Sequence, residues 1–97
     1  MTTADKSPAE RRRARLRFRA QRRGFKEVDL IFGAFADSFL ADLDESGLDQ
    51  FEALLGVPDQ DVFAWLQGMA LVPSAFDTPV FAKLMSLCER KRPKWNA

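Results

Sequence analysis

The chain has 97 residues and a formal net charge of +1, with 46% hydrophobic residues, nine Phe, two Trp and no Tyr. That length gives one domain as the expectation, and the apolar content is that of a globular protein rather than a disordered one. With one cysteine, Cys88, and no histidine, the chain excludes an intrachain disulfide framework, a self-contained zinc site and a Cys–His nucleophile pair.

In chain order, each periodic segment reads as helix, and none shows the sustained alternation of a strand. Ser7, Pro8 and Glu10 form a capping box with proline at the first helical position, so a first helix should run from residue 8 to about Arg22. Its apolar residues are few (Ala14, Leu16, Phe18, Ala20), so its arginines should largely face outward. Gly24 breaks it. A second helix, about Phe25 to Leu40, carries Phe25, Val28, Phe32, Phe35 and Phe39 at three- and four-residue spacing, with Ile31 beside them. That stripe is a core face.

A third helix should follow Asp44 or Ser46, turn Leu48, Phe51, Leu54 and Leu55 inward, and stop at Gly56. A fourth begins near Pro58-Asp59 with Val62, Phe63, Trp65, Leu66 and Met69, and Gly68 ends or loosens it. After a connection containing Pro73, Thr78-Pro79 marks the start of a fifth helix with Val80, Phe81, Leu84, Met85 and Cys88 on one face. The expected fold is all-α, a compact five-helix bundle. Residues 8–90 would form its single domain, with residues 1–7 a disordered N-terminus and 91–97 a flexible tail.

The small net charge conceals an asymmetry. Residues 1–23 carry nine basic groups against two acidic ones, net +7. Residues 24–88 carry two lysines against eleven carboxylates, net −9, and residues 89–97 return +3. Such a layout suits an electrostatically guided protein contact. The Arg cluster at 11–23 also allows a phosphate-contacting helix, but the acidic remainder and the lack of a recognition-helix pattern weigh against nucleic acid. No apolar run reaches the roughly 18 residues of a spanning helix, so membrane insertion is not expected. The basic start carries Asp5 and Glu10 and runs into the first helix. It reads as mature protein in a bacterial cytoplasm, or in the mitochondrial matrix if the source is eukaryotic.

Catalytic constellations are missing from the sequence: there is no phosphate loop, dinucleotide fingerprint or nucleophile motif, and an enzyme is not expected. The most informative local pattern is Arg23-Gly24-Phe25-Lys26-Glu27. It places a glycine break between an arginine and a carboxylate that complements the dipole of the next helix.

Extended to Arg22-Arg23-Gly24-Phe25-Lys26-Glu27-Val28-Asp29, the pattern resembles the R-R-G-x-x-E-x-D signature of the SdhE family, also called succinate dehydrogenase assembly factor 2. Phe35-Ala36-Asp37 follows at the family's spacing, and Pro58-Asp59-Gln60-Asp61-Val62-Phe63-Ala64-Trp65-Leu66 is similar to its P-D-x-D-[LV]-F-x-W-[LM] stretch. Arg15-Leu16-Arg17-Phe18-Arg19 resembles its basic, aromatic-containing first helix. Phe25 departs from the Met or small polar residue common at that position.

The resemblance implies a five-helix chaperone, not an enzyme, that binds the flavoprotein subunit of succinate dehydrogenase, and often of fumarate reductase, and promotes covalent attachment of FAD to a histidine of that subunit. It implies that Arg23, Gly24 and Glu27 meet the partner, with Asp29 and Arg15 as further candidates, and that Phe63, Trp65 and Leu66 are core. By the same implication the FAD belongs to the partner, and this chain is expected to hold no cofactor or metal. The alternative readings are a small basic-helix nucleic-acid-binding module, against which the acidic remainder weighs so that no nucleic acid is expected, and a generic protein-interaction module with another client. The free chain is expected to be a monomer.

Overall fold

The computed structural model describes residues 7–90, of Arg90 the backbone only, so expectations for residues 1–6 and 91–97 lie outside the described residues. Five α-helices follow one another: α1 Pro8–Ala20, α2 Lys26–Phe39, α3 Glu45–Leu55, α4 Asp59–Leu66 and α5 Pro79–Arg90. Short 3-10 turns occupy Leu40–Asp42 and Ser74–Phe76. No strand occurs among the described residues, and the all-α expectation is met.

Local chemistry sets the helix starts. Ser7 Oγ accepts from the Glu10 backbone N–H at 3.1 Å while Glu10 Oε1 accepts from the Ser7 N–H at 2.9 Å, a reciprocal cap that satisfies two orphan donors. Asp44 Oδ1 accepts from the Gly47 N–H at 2.8 Å and opens α3. Thr78 Oγ1 accepts from the Phe81 N–H, and Gln50 Oε1, reaching across from α3, accepts from the Val80 N–H, both at 3.2 Å. The start of α5 is thus capped by its own chain and by its neighbour.

Helix α2 is the spine of the bundle: it packs on α1, α4 and α5, while α3 packs on α1 and α5. The Phe stripe is its inner face. Val28, Phe32 and Phe35 are fully buried, with Phe25, Ile31 and Phe39 partly buried beside them. Phe35 stacks on Phe51 of α3 at 4.9 Å between ring centres, and Phe32 lies 5.7 Å from the same ring. Trp65, 8% exposed, packs against Phe76 and Phe81. Each such side chain contributes about 1.5–3 kcal/mol by leaving water, which is how a chain this short acquires a single core.

Three expectations need correction. The first helix ends at Ala20 rather than near Arg22, because the backbone turns early, with the Gln21 N–H closing onto Arg17 and Phe18 carbonyls. Met69 is not part of the inner face of α4: Gly68 takes φ +74°, a conformation that ends the helix, and Met69 is exposed. The arginines of α1 do not largely face outward. Arg12 bridges Glu45 at 3.1 Å, Asp49 at 2.7 Å and Glu52 at 2.8 Å, an acidic ladder along α3. Arg13 donates to the carbonyls of Leu40 and Leu43, and Arg17 to Asp37 and to the Ala36 carbonyl. The last carbonyls of a helix lack partners within it, and a long guanidinium stem can cross a groove to reach them. The end of α2 has no glycine cap and uses Arg13 and Arg17 instead.

Candidate protein-docking site

The site grows from the turn between α1 and α2. Gly24 sits there at φ +89°, exposed, with open space where a side chain would project. An L-residue adopts that backbone only with strain, so the glycine is required by conformation rather than by crowding inside the chain. The Arg23 backbone N–H donates to Asp29 Oδ1 at 2.8 Å, which ties the turn to the first coils of α2.

Arg23 fixes the turn from beneath. Its side chain is only 7% exposed. Nε donates to Asp59 Oδ1 at 2.5 Å, Nη1 to the Leu55 carbonyl, and Nη2 to the Val57 carbonyl at 2.7 Å. The guanidinium also lies 5.1 Å from the Phe32 ring centre. One planar fork therefore closes the end of α3 and pairs with the first residue of α4, a geometry that an ammonium cannot reproduce. The resemblance implies that Arg23 meets the partner; in the structure each guanidinium nitrogen donates within the chain.

Beyond the turn, a groove of about 470 Å³ runs along the outer face of α2. Its apolar lining comes from Leu30, Ile31 and Ala34 of α2, Phe63 and Leu66 of α4, and Cys88 of α5. Glu27, Asp29 and Asp37 supply three carboxylates to it. Glu27 has no hydrogen-bond or ion-pair partner among the described residues, and Leu30 is 61% exposed. Phe63 is half-buried, its ring 5.1 Å from that of Phe25, so it belongs to the groove wall as well as to the core. Trp65 and Leu66 are buried as core residues.

The structure thus brings Glu27 and Asp29 together in one groove, places Gly24 in the turn that leads into it, and puts Arg23 underneath. Arg15 stands apart on the exposed side of α1. Sequence reasoning passed over Leu30, Asp37 and the groove-lining role of Phe63. Leu30 carried a signal: it is a large apolar residue off the Phe stripe, with polar or small neighbours on its own face. Among the described residues no group of three or more His, Cys, Asp or Glu is placed to hold a metal ion, and no helix is long and apolar enough to cross a membrane.

A small helical bundle with an apolar groove edged by carboxylates, beside a conformationally required glycine, has the form of a protein-docking module. A sequence profile described as flavinator of succinate dehydrogenase matches residues 14–88, and the chain belongs to that family. Over 83 residues it is 36% identical to a protein of Dictyostelium discoideum named succinate dehydrogenase assembly factor 2, mitochondrial, an alignment covering 86% of this chain and 59% of the relative. A Yarrowia lipolytica protein of the same name is 34% identical over 86 residues, covering 84% and 59%. The chain therefore spans less than two thirds of the length of these relatives.

Proposed function

We propose that the chain is an assembly factor that docks on the flavoprotein subunit of succinate dehydrogenase and promotes covalent attachment of FAD to that subunit. The observation that carries the reading is the family match across residues 14–88, which spans both the Gly24 turn and every residue lining the α2 groove. Since the chain has no histidine, the side chain that receives the flavin is the partner's. The chain's own contribution is positional. The groove takes an apolar segment of the partner at Leu30, Ile31 and Phe63, Glu27 accepts from cationic or amide groups beside that segment, and the side-chain-free surface at Gly24 permits close backbone approach. Holding reacting groups in line can lower a barrier by several kcal/mol, and a binder that favours the aligned conformer shifts the partner toward it.

The test is coexpression with the flavoprotein subunit in the absence of the remaining subunits, with flavin fluorescence read after denaturing electrophoresis. Fluorescence should rise with the wild-type chain and fall toward background with Leu30→Asp, a change at an exposed position that leaves the core intact. Equal fluorescence with and without the chain, on a folded partner, would defeat the reading.

A further inference from the structure

Arg11 apart, the arginines of α1 and of the turn after it divide into two sets. Arg12, Arg13, Arg17 and Arg23 are taken up by acceptors of the chain itself, carboxylates of α3 for Arg12 and backbone carbonyls for the other three. Arg15, Phe18 and Arg19 are exposed at the three- and four-residue spacing of one face of α1, and Arg22, also exposed, follows in the turn after the helix. Phe18 is 59% exposed, and the Arg22 guanidinium lies over its ring, 4.4 Å from the centre. Arg15 has no partner among the described residues, and Arg19 has only a long 3.7 Å contact to Glu52. Beside this face is a hollow of about 420 Å³ whose lining includes Phe18, Arg19, Arg22, Leu55, Val57 and Pro58, together with the Arg23–Asp59 ion pair.

We propose that this face of α1 is a second docking surface, and that it receives an acidic segment of the flavoprotein subunit in which an apolar side chain is flanked by carboxylates. The proposal rests on the docking function given above and adds to it the chemistry of a separate contact. A guanidinium stacked on an aromatic ring keeps its in-plane N–H groups directed outward, ready to meet a carboxylate with two parallel hydrogen bonds. The open part of the Phe18 ring and the adjoining hollow accept the apolar residue. Solvation alone would be served equally by lysines scattered round the helix; an exposed aromatic beneath the Arg22 guanidinium, with exposed Arg15 and Arg19 on the same helix, is a recognition surface.

Charge complementarity selects the occupant. The turn at Gly24 separates a cationic face ending in Arg22 from a groove whose first carboxylate is Glu27. A partner presenting carboxylates to α1 and cations to α2 fits in one orientation only, because the reversed pose sets like charges against each other. The outward arginines thereby fix the orientation of docking and speed encounter.

The experiment compares association of the wild-type chain with the isolated flavoprotein subunit by stopped flow at low and high salt, against Arg15→Gln/Arg19→Gln/Arg22→Gln and against Phe18→Gln. Circular dichroism and sedimentation accompany each variant. The expected result is an association rate about tenfold lower for the triple variant at low salt, with most of the salt dependence gone. Phe18→Gln should dissociate several-fold faster with little change in association. The variant with lysine at all three positions should keep the fast association and lose residence time, which separates plain charge from the planar fork.

Unchanged rates in folded variants would overturn the proposal. So would a wild-type chain that dimerises through this face, with dimerisation lost in the triple variant and partner binding intact, since the occupant would then be a second copy. If the wild-type chain does not bind the subunit at any salt concentration, the docking function itself falls, an outcome distinct from loss in the variants alone.

Discussion

Asp29 Oδ1 accepts the backbone N–H of Arg23 from 2.8 Å, reaching back six residues across the Gly24 turn. The carboxylate two positions after Glu27 therefore acts on the chain's own backbone. A single hydrogen bond of this kind to a charged group contributes about 1.5–3 kcal/mol. Asp29→Ala should lower stability by about that amount in urea unfolding, and Asp29→Asn should recover much of the loss because an amide oxygen can still accept.

Arg23 should behave as a structural lock. Arg23→Lys keeps the charge but leaves at least one of the Leu55 and Val57 carbonyls without its donor. The expected loss is roughly 1–3 kcal/mol, visible as a lower midpoint at unchanged slope. Partner binding should fall with it, and adding a compensating stabiliser should restore part of the binding. A variant as stable as the wild type but unable to bind would return Arg23 to the interface.

At Gly24 the cost of substitution is conformational, since a Cβ meets nothing within 4 Å at φ +89°. Gly24→Ala should therefore lose about 1–2 kcal/mol. Gly24→Asn should lose less, because asparagine tolerates this region. If the two variants bind the partner equally well after correction for their folded fractions, Gly24 serves the turn alone; a further loss of binding marks close backbone approach.

Arg12 sits among three carboxylates, and hydrogen bonds to Asp49 and Glu52 raise its pKa above the ordinary arginine value. A raised pKa on a cation means that its stabilising contribution is complete below the unfolded value and is lost only as pH rises through the folded one. That window lies beyond the pH at which a protein of this size is studied, so salt rather than pH is the useful probe. Glu45, Asp49 and Glu52 are well exposed, so Arg12→Gln should cost only about 1 kcal/mol at low salt. The difference should shrink at 1 M salt, where the screening length is about 3 Å.

The helices were legible because their signals are local. Ser7 with Glu10, Asp44 and Thr78 mark starts, and the spacing of Val28, Phe32 and Phe35 marks an inner face. The signature residues were visible too, but their division of labour was not. Nothing in the string Arg23-Gly24-Phe25-Lys26-Glu27 says that the arginine reaches residues 55, 57 and 59, contacts that exist only once α3 and α4 are in place. For the same reason the sequence could not separate inward from outward arginines on α1. Helical periodicity places a Cβ, while an arginine head travels several ångströms further. Leu30 stands off the Phe stripe and Phe63 looks like an ordinary core residue, and only the gap left between α2, α4 and α5 joins them in one groove.

Helix α1 contributes only Leu16 and Ala20 to the buried interior, and much of its hold on the bundle runs through guanidinium groups. It is therefore the segment whose local opening requires the least apolar exposure and responds most to ionic strength, a cooperative unit of its own in hydrogen-exchange terms. The residues lining the α2 groove come from α2, α4 with its C-cap Gln67, and α5, so an opening confined to α1 would leave that groove standing. The Phe18 face would go with the departing helix. The two surfaces on either side of Gly24 thus differ in persistence as well as in sign, and ionic conditions can withdraw one while the other remains.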